Sequence, residues 1–139
     1  AHAINQAMVA AAAHVRQIPG SVHIVHQTGE RDYETVKAGY AAAGVAADVR
    51  AFISDMPQQV ADADVIGSRA GARTIEAAGA AVMIEESALT GDRLAAELRA
   101  LLTDDERRLA MATRARGLAR PDAADVIATR AEALMQEDA

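Results

Sequence analysis

The chain has 139 residues, 51% of them hydrophobic, and a formal net charge of -6. That length fits one domain, residues 1–139, with a real core. The acidic balance argues against a nucleic-acid-binding module with its usual basic stripe, and zero cysteines exclude a disulfide scaffold and thiolate metal sites.

Alanine supplies 36 residues, and the aromatics number three: Tyr33, Tyr40 and Phe52. Any core is therefore made of Ala, Val, Ile, Leu and Met, and the alanine content favours helices. No apolar run approaches the roughly 20 residues that span a bilayer. No basic n-region leads into a hydrophobic stretch, so the expected setting is cytoplasmic.

The elements follow in chain order. Ala3 to Arg16 places Ile4, Met8 and Val15 at near-helical spacing, and Pro19-Gly20 ends that helix. Ser21 to His26 alternates, with Val22 and Ile24 apolar, and reads as a strand. Gly29 turns the chain into a helix over Asp32–Ala43 with Tyr33, Val36 and Tyr40 on one face, closed by Gly44. A second strand is expected over Val49–Ile53, then Asp55 as helix N-cap with Pro57 in the first turn. Asp64–Gly67 is a third strand candidate and Ala80–Glu85 a fourth. The rest reads as helices over Gly91–Leu102, Asp104–Leu118 and Asp122–Gln136; Thr103 and Glu106 form a capping-box pattern, and Pro121 parts the last two. Strands alternating with helices imply a parallel α/β sheet, which binds ligands at the carboxyl ends of its strands.

Three stretches could carry chemistry. His26-Gln27-Thr28-Gly29 closes the first strand with an imidazole, an amide and a hydroxyl beside a glycine; a polar strand end with a turn glycine fits the same residues. In Ser68-Arg69-Ala70-Gly71-Ala72-Arg73-Thr74, small residues at a helix start let backbone amides approach a phosphate, and Arg69 or Arg73 adds charge. A tight turn chosen for packing is the alternative, since neither Walker A nor Gly-x-Gly-x-x-Gly is matched. Phe52-Ile53-Ser54-Asp55-Met56 offers a loop backbone to the edge of a base, or is simply a strand tail with a helix cap. His2, His14 and His23 show no metal-ligand spacing, and no Gly-x-Ser-x-Gly elbow exists.

These three stretches, in this order and followed by Ala77-Ala78-Gly79-Ala80-Ala81, resemble the MurG family over nearly the whole chain. That family comprises the bacterial UDP-N-acetylglucosamine: lipid I N-acetylglucosaminyltransferases of peptidoglycan synthesis. The resemblance implies the C-terminal, donor-binding half of a GT-B fold: a Rossmann-like parallel sheet flanked by helices, with a helix-rich C-terminus. It implies backbone contacts from Ile53 to uracil, with Ala72, Arg73 and Thr74 beside the donor's diphosphate and sugar; Arg69 and Gly71 of the same turn remain candidates from the residue pattern. His26, Gln27 and Gly29 would line the cleft. It implies neither a cofactor nor a metal, and no catalytic residue in this half.

The departures matter as much. The family's Gly-Gly-Ser loop would precede Ala1. After Ile75 the chain runs directly into Glu76-Ala77-Ala78-Gly79, which matches a later stretch of the family. About one βα unit, roughly thirty residues, is therefore expected to be missing, shortening the sheet and removing the family's ribose-binding glutamate. Glu76 could superficially take that place, but the residues that follow align it with the later segment, and the role is not carried over to it. The expected partners are UDP-N-acetylglucosamine, bound weakly or not at all, the N-terminal domain of the parent enzyme, and a second copy covering exposed sheet edges. A truncated or engineered scaffold that folds without binding ligand is the second reading. The donor domain of another UDP-sugar transferase or epimerase is a third, and a helical interaction module a fourth.

Overall fold

The computed structural model describes residues 2–68 and 72–118, with the backbone alone at residues 72–74. In chain order these hold α1 (His2–Val15), β1 (Ile24–Gln27), α2 (Tyr33–Ala42), β2 (Ala47–Arg50), α3 (Met56–Asp62), α4 (Ala72–Ala77), α5 (Gly91–Leu102) and α6 (Asp105–Leu118). The helix expected over Asp122–Gln136 lies outside the described residues.

β1 and β2 pair in parallel, Ile24 against Ala47 through Gln27 against Arg50, joined by the α2 crossover. This is a helix-rich α/β arrangement with a small parallel sheet. Alternation sends Ile24 and His26 inward while Gln27 faces out. β2 starts two residues earlier than expected because its register follows β1. Past the ladder, Thr28 N–H donates to Arg50 O at 2.9 Å and Gly29 N–H to Ala51 O at 3.0 Å.

The third and fourth strands expected from sequence do not form. Residues 64–67 and 80–85 are irregular, and neither run joins the sheet. An apolar run becomes a strand only when a neighbour takes its backbone hydrogen bonds, and no such neighbour lies beside either run among the described residues. Ile66 is accordingly exposed. The 80–85 run is instead held from α4, where a Glu76 carboxylate oxygen accepts the Met83 N–H at 3.2 Å.

Helix ends follow local chemistry. Gly44, at φ +66°, closes α2, with Val45 N–H donating to Tyr40 O at 3.0 Å. Asp55 precedes α3 as expected, but its carboxylate is drawn to Arg50 and Gln59. The α6 cap is not Thr103. Asp104 Oδ1 accepts the Arg107 N–H at 2.8 Å, whereas the Thr103 hydroxyl donates backwards to Arg99 O at 2.8 Å and finishes α5.

The core joins α1, α2, β1 and α5. Ala11, Ala12, Val15, Ile18, Ile24, Val36, Tyr40 and Ala95 are buried together, flanked by Leu94, Leu98 and Leu102 of α5. Small side chains let α1 and α5 approach until their backbones nearly touch: a Cβ placed on Gly91 would lie 2.6 Å from Ala10 Cβ and 2.9 Å from its backbone carbon. Gly91→Ala is therefore expected to destabilise the fold by about 1–3 kcal/mol in thermal or urea denaturation. Gly117→Ala, in α6 with nothing within 4 Å of the added carbon, should instead stabilise it by about 0.5 kcal/mol.

Candidate functional site at the carboxyl ends of β1 and β2

Among the described residues the two largest fully buried side chains are Tyr40 and Asn5, and both belong to one polar chain beneath the end of β1. Asn5, on the inner face of α1, donates through Nδ2 to Thr28 O at 3.0 Å and to Asp32 Oδ2 at 2.9 Å. Its Oδ1 must then accept, so His26 Nε2 carries the proton across their 3.0 Å contact. His26 Nδ1 is left as the acceptor of the Tyr40 hydroxyl at 2.9 Å. Asp32 also accepts from His2 Nδ1–H at 2.9 Å. Among the described residues no buried side-chain nitrogen or oxygen lacks a partner.

The electrostatics agree with these assignments. Burial lowers the His26 pKa below its ordinary 6.5, keeping the ring neutral. Burial likewise pushes the Tyr40 phenol up to about 12, so it remains a donor. The His2 and Asn5 hydrogen bonds hold the Asp32 carboxyl below the usual carboxylate range. The His26 and Tyr40 rings also meet edge to face, 5.8 Å between centroids.

Above this chain lies the exposed junction. Gly29, at φ +75°, turns β1 toward α2. The adjoining loop 51–55 is clamped by Arg50, which donates to Asp48 Oδ2 at 2.6 Å and Asp55 Oδ1 at 3.1 Å. Arg50 is the largest cause of the lowered Asp48 pKa; for Asp55 the Gln59 hydrogen bond comes first. The Ile53 side chain is buried beneath the loop, and its N–H donates to Gln27 Oε1 at 2.8 Å. Phe52 beside it is 74% exposed.

The sequence-derived candidates are thus placed unequally. Gln27, Gly29 and Ile53 converge on one surface. His26 sits beneath it, with both ring nitrogens engaged internally. Arg69 and Gly71 lie outside the described residues, as do the side chains of Ala72, Arg73 and Thr74, whose backbone begins α4. Sequence reasoning missed Asn5, Asp32 and Tyr40 as a unit. The available signal was a polar residue, Asn5, two helical turns before the buried Ala12. A separate cleft of about 270 Å³ between α1 and α2 is lined by His2, Asn5, Val9, Asp32, Thr35 and Val36 among others, and none of the described candidates His26, Gln27, Gly29 and Ile53 is among its lining residues.

Comparison with known proteins decides the family. Residues 1–77 match the glycosyltransferase family 28 C-terminal domain. The chain belongs to that family. It is 41% identical over 158 positions to the "UDP-N-acetylglucosamine--N-acetylmuramyl-(pentapeptide) pyrophosphoryl-undecaprenol N-acetylglucosamine transferase" of Anaeromyxobacter sp. (strain Fw109-5), covering 92% of this chain and 42% of that protein. Proteins of the same name from Myxococcus xanthus (strain DK1622) and Geobacter sp. (strain M21) are 37% and 36% identical, over 92% and 91% of this chain and 41% and 42% of theirs. The chain therefore spans about two-fifths of the length of these relatives.

The matched span of 158 positions exceeds the 139 residues of the whole chain, so the relatives carry residues within it that have no counterpart here. The family match ends at residue 77, next to the junction expected after Ile75. Among the described residues no helix is long and apolar enough to cross a membrane.

The buried imidazole makes stability depend on pH with a defined sign. His26 has a lowered folded-state pKa, so the unfolded chain takes up the proton first as the pH falls. Its contribution is complete above 6.5 and is lost progressively below it. Urea denaturation at about pH 7.5 and about pH 5 should show this loss, and His26→Gln should remove that part of the pH dependence. Tyr40→Phe, which leaves His26 Nδ1 without its donor, should cost about 1–2 kcal/mol at neutral pH.

Proposed function

We propose that this chain is the donor-binding half of a UDP-N-acetylglucosamine-dependent transferase, working with an acceptor-binding domain elsewhere in the protein at the cytoplasmic face of the membrane. The observation that carries the reading is the junction at the carboxyl ends of β1 and β2. There the Gly29 turn and the clamped 51–55 loop place the Ile53 backbone N–H beside an exposed strand end. Ligands of parallel α/β domains bind at such ends, and relatives at 36–41% identity bear the transferase name.

In this reading the Ile53 backbone meets the uracil edge, and Arg69, Gly71, Ala72, Arg73 and Thr74 face the diphosphate and sugar. Gln27 and Gly29 border the cleft, with His26 holding the strand end from below. The acceptor hydroxyl attacks the anomeric carbon, and UDP leaves with inversion. Negative charge gathers on the diphosphate as it departs, so the cationic and backbone donors of residues 69–74 do their work there. The base that takes the hydroxyl proton belongs to the acceptor-binding domain, and this chain alone turns nothing over.

One observation favours a second reading, a scaffold of the same ancestry without nucleotide binding: the relatives hold residues inside the matched span that this chain lacks. Calorimetric titration with UDP, UDP-N-acetylglucosamine and CDP separates the two. The donor-binding reading expects saturable binding of both uridine ligands, CDP weaker by about tenfold or more, and weakening in Arg73→Ala and Thr74→Val. No saturable heat up to millimolar ligand would leave the scaffold reading standing.

A further inference from the structure

We infer that the Gln27 carboxamide is an internal stand-in for the uracil edge, so that nucleotide binding must displace it; this rests on the donor-binding reading above. A backbone N–H has one hydrogen to give. That of Ile53 is already given to Gln27 Oε1 at 2.8 Å, across 26 residues of sequence and on the exposed side of β1. The bond is not forced by the ladder: the β1–β2 pairing ends at Gln27 and Arg50, and Ile53 lies in the loop beyond it. With Ile53 buried below and Arg50 clamping the loop on both flanks, the N–H is held in place whether or not Gln27 occupies it.

The match is chemical as well as positional. A primary carboxamide presents a carbonyl acceptor beside an N–H donor. Uracil presents the same pair at its 4-carbonyl and N3–H, and cytosine presents the reverse, an amino donor beside a bare ring nitrogen. The Ile53 N–H that the Gln27 carbonyl oxygen satisfies is one that the uracil 4-carbonyl can take in its place, whereas cytosine would bring its amino donor to the same point. Gln27 keeps the loop's buried-edge donor satisfied without ligand, where an unpaired backbone group would be costly. The consequence is a weakened apparent affinity, because only molecules with Gln27 withdrawn can bind.

The test uses Gln27→Met, which keeps length and apolar stem but cannot accept a hydrogen bond from Ile53, in the full 139-residue chain. UDP affinity by calorimetry should rise about fivefold, the size of one displaced hydrogen bond. Backbone amide exchange followed by NMR gives the second readout. Ile53 should be protected in the wild type and exchange faster in ligand-free Gln27→Met, and UDP should restore protection in the variant. Equal or weaker UDP affinity in the variant overturns the stand-in role while leaving the donor-binding reading intact. Fast Ile53 exchange in the ligand-free wild type also overturns it. Absence of UDP binding by both proteins overturns the donor-binding reading, and the stand-in role falls with it.

Discussion

The hydrogen-bonded chain from Tyr40 through His26 and Asn5 to Asp32 and Thr28 O is the constraint on which the rest of this structure depends. Alanine takes three of the eight positions in the buried cluster and Tyr40 is its one aromatic side chain, so apolar shape alone has limited means to choose one packing over another. Directional groups supply the missing choice. Asn5 has two donors and an acceptor, each with a single matching partner, so α1 can neither slide nor rotate against β1 without leaving a buried polar group unpaired. Satisfied throughout, the chain specifies the arrangement of α1, β1 and α2.

The surface above inherits that order. Asn5 grips the Thr28 carbonyl and Asp32, the two ends of the turn that contains Gly29, so the exit of β1 is fixed from beneath. Arg50 fixes the matching exit of β2 by spanning Asp48 and Asp55. Between the two anchors lie Gln27 and Ile53, joined by a part-buried hydrogen bond from the Ile53 N–H to the Gln27 carboxamide oxygen. The tight seam of α1 against α5, set by Gly91 and Ala10, then closes the back of the fold.

Much of this was legible in the sequence, for reasons that differ by element. Glycines at 29 and 44 marked true left-handed turns, and the alternation of Ser21–His26 marked a strand that forms later than expected, over Ile24–Gln27, with residues 21–23 outside it. His26 was expected to line the cleft with Gln27 and Gly29, but it shares the inward face of β1 with Ile24 while Gln27 faces out. The strands expected over residues 64–67 and 80–85 failed because local apolarity reports a capacity to pair, while pairing itself depends on a neighbour that sequence proximity does not supply. The cap at Asp104 was misplaced by one residue because Thr103 serves the helix before it. The polar chain was hidden for another reason: Asn5, Asp32 and Tyr40 are unremarkable separately, and only the α1–β1–α2 packing joins them. Three motifs in order revealed the family, whose match over residues 1–77 covers all of them.

Protonation of the buried imidazole tests the account most directly, because one ring reports the whole chain. Nitrogen chemical shifts of His26 in ¹⁵N-labelled protein distinguish the two neutral tautomers from the imidazolium. The account predicts a neutral ring at pH 7, protonated at Nε2 and bare at Nδ1, that stays neutral as the pH falls below 6.5. A ring charged at neutral pH, or a proton on Nδ1, would contradict it, since neither state can donate to Asn5 while accepting from Tyr40.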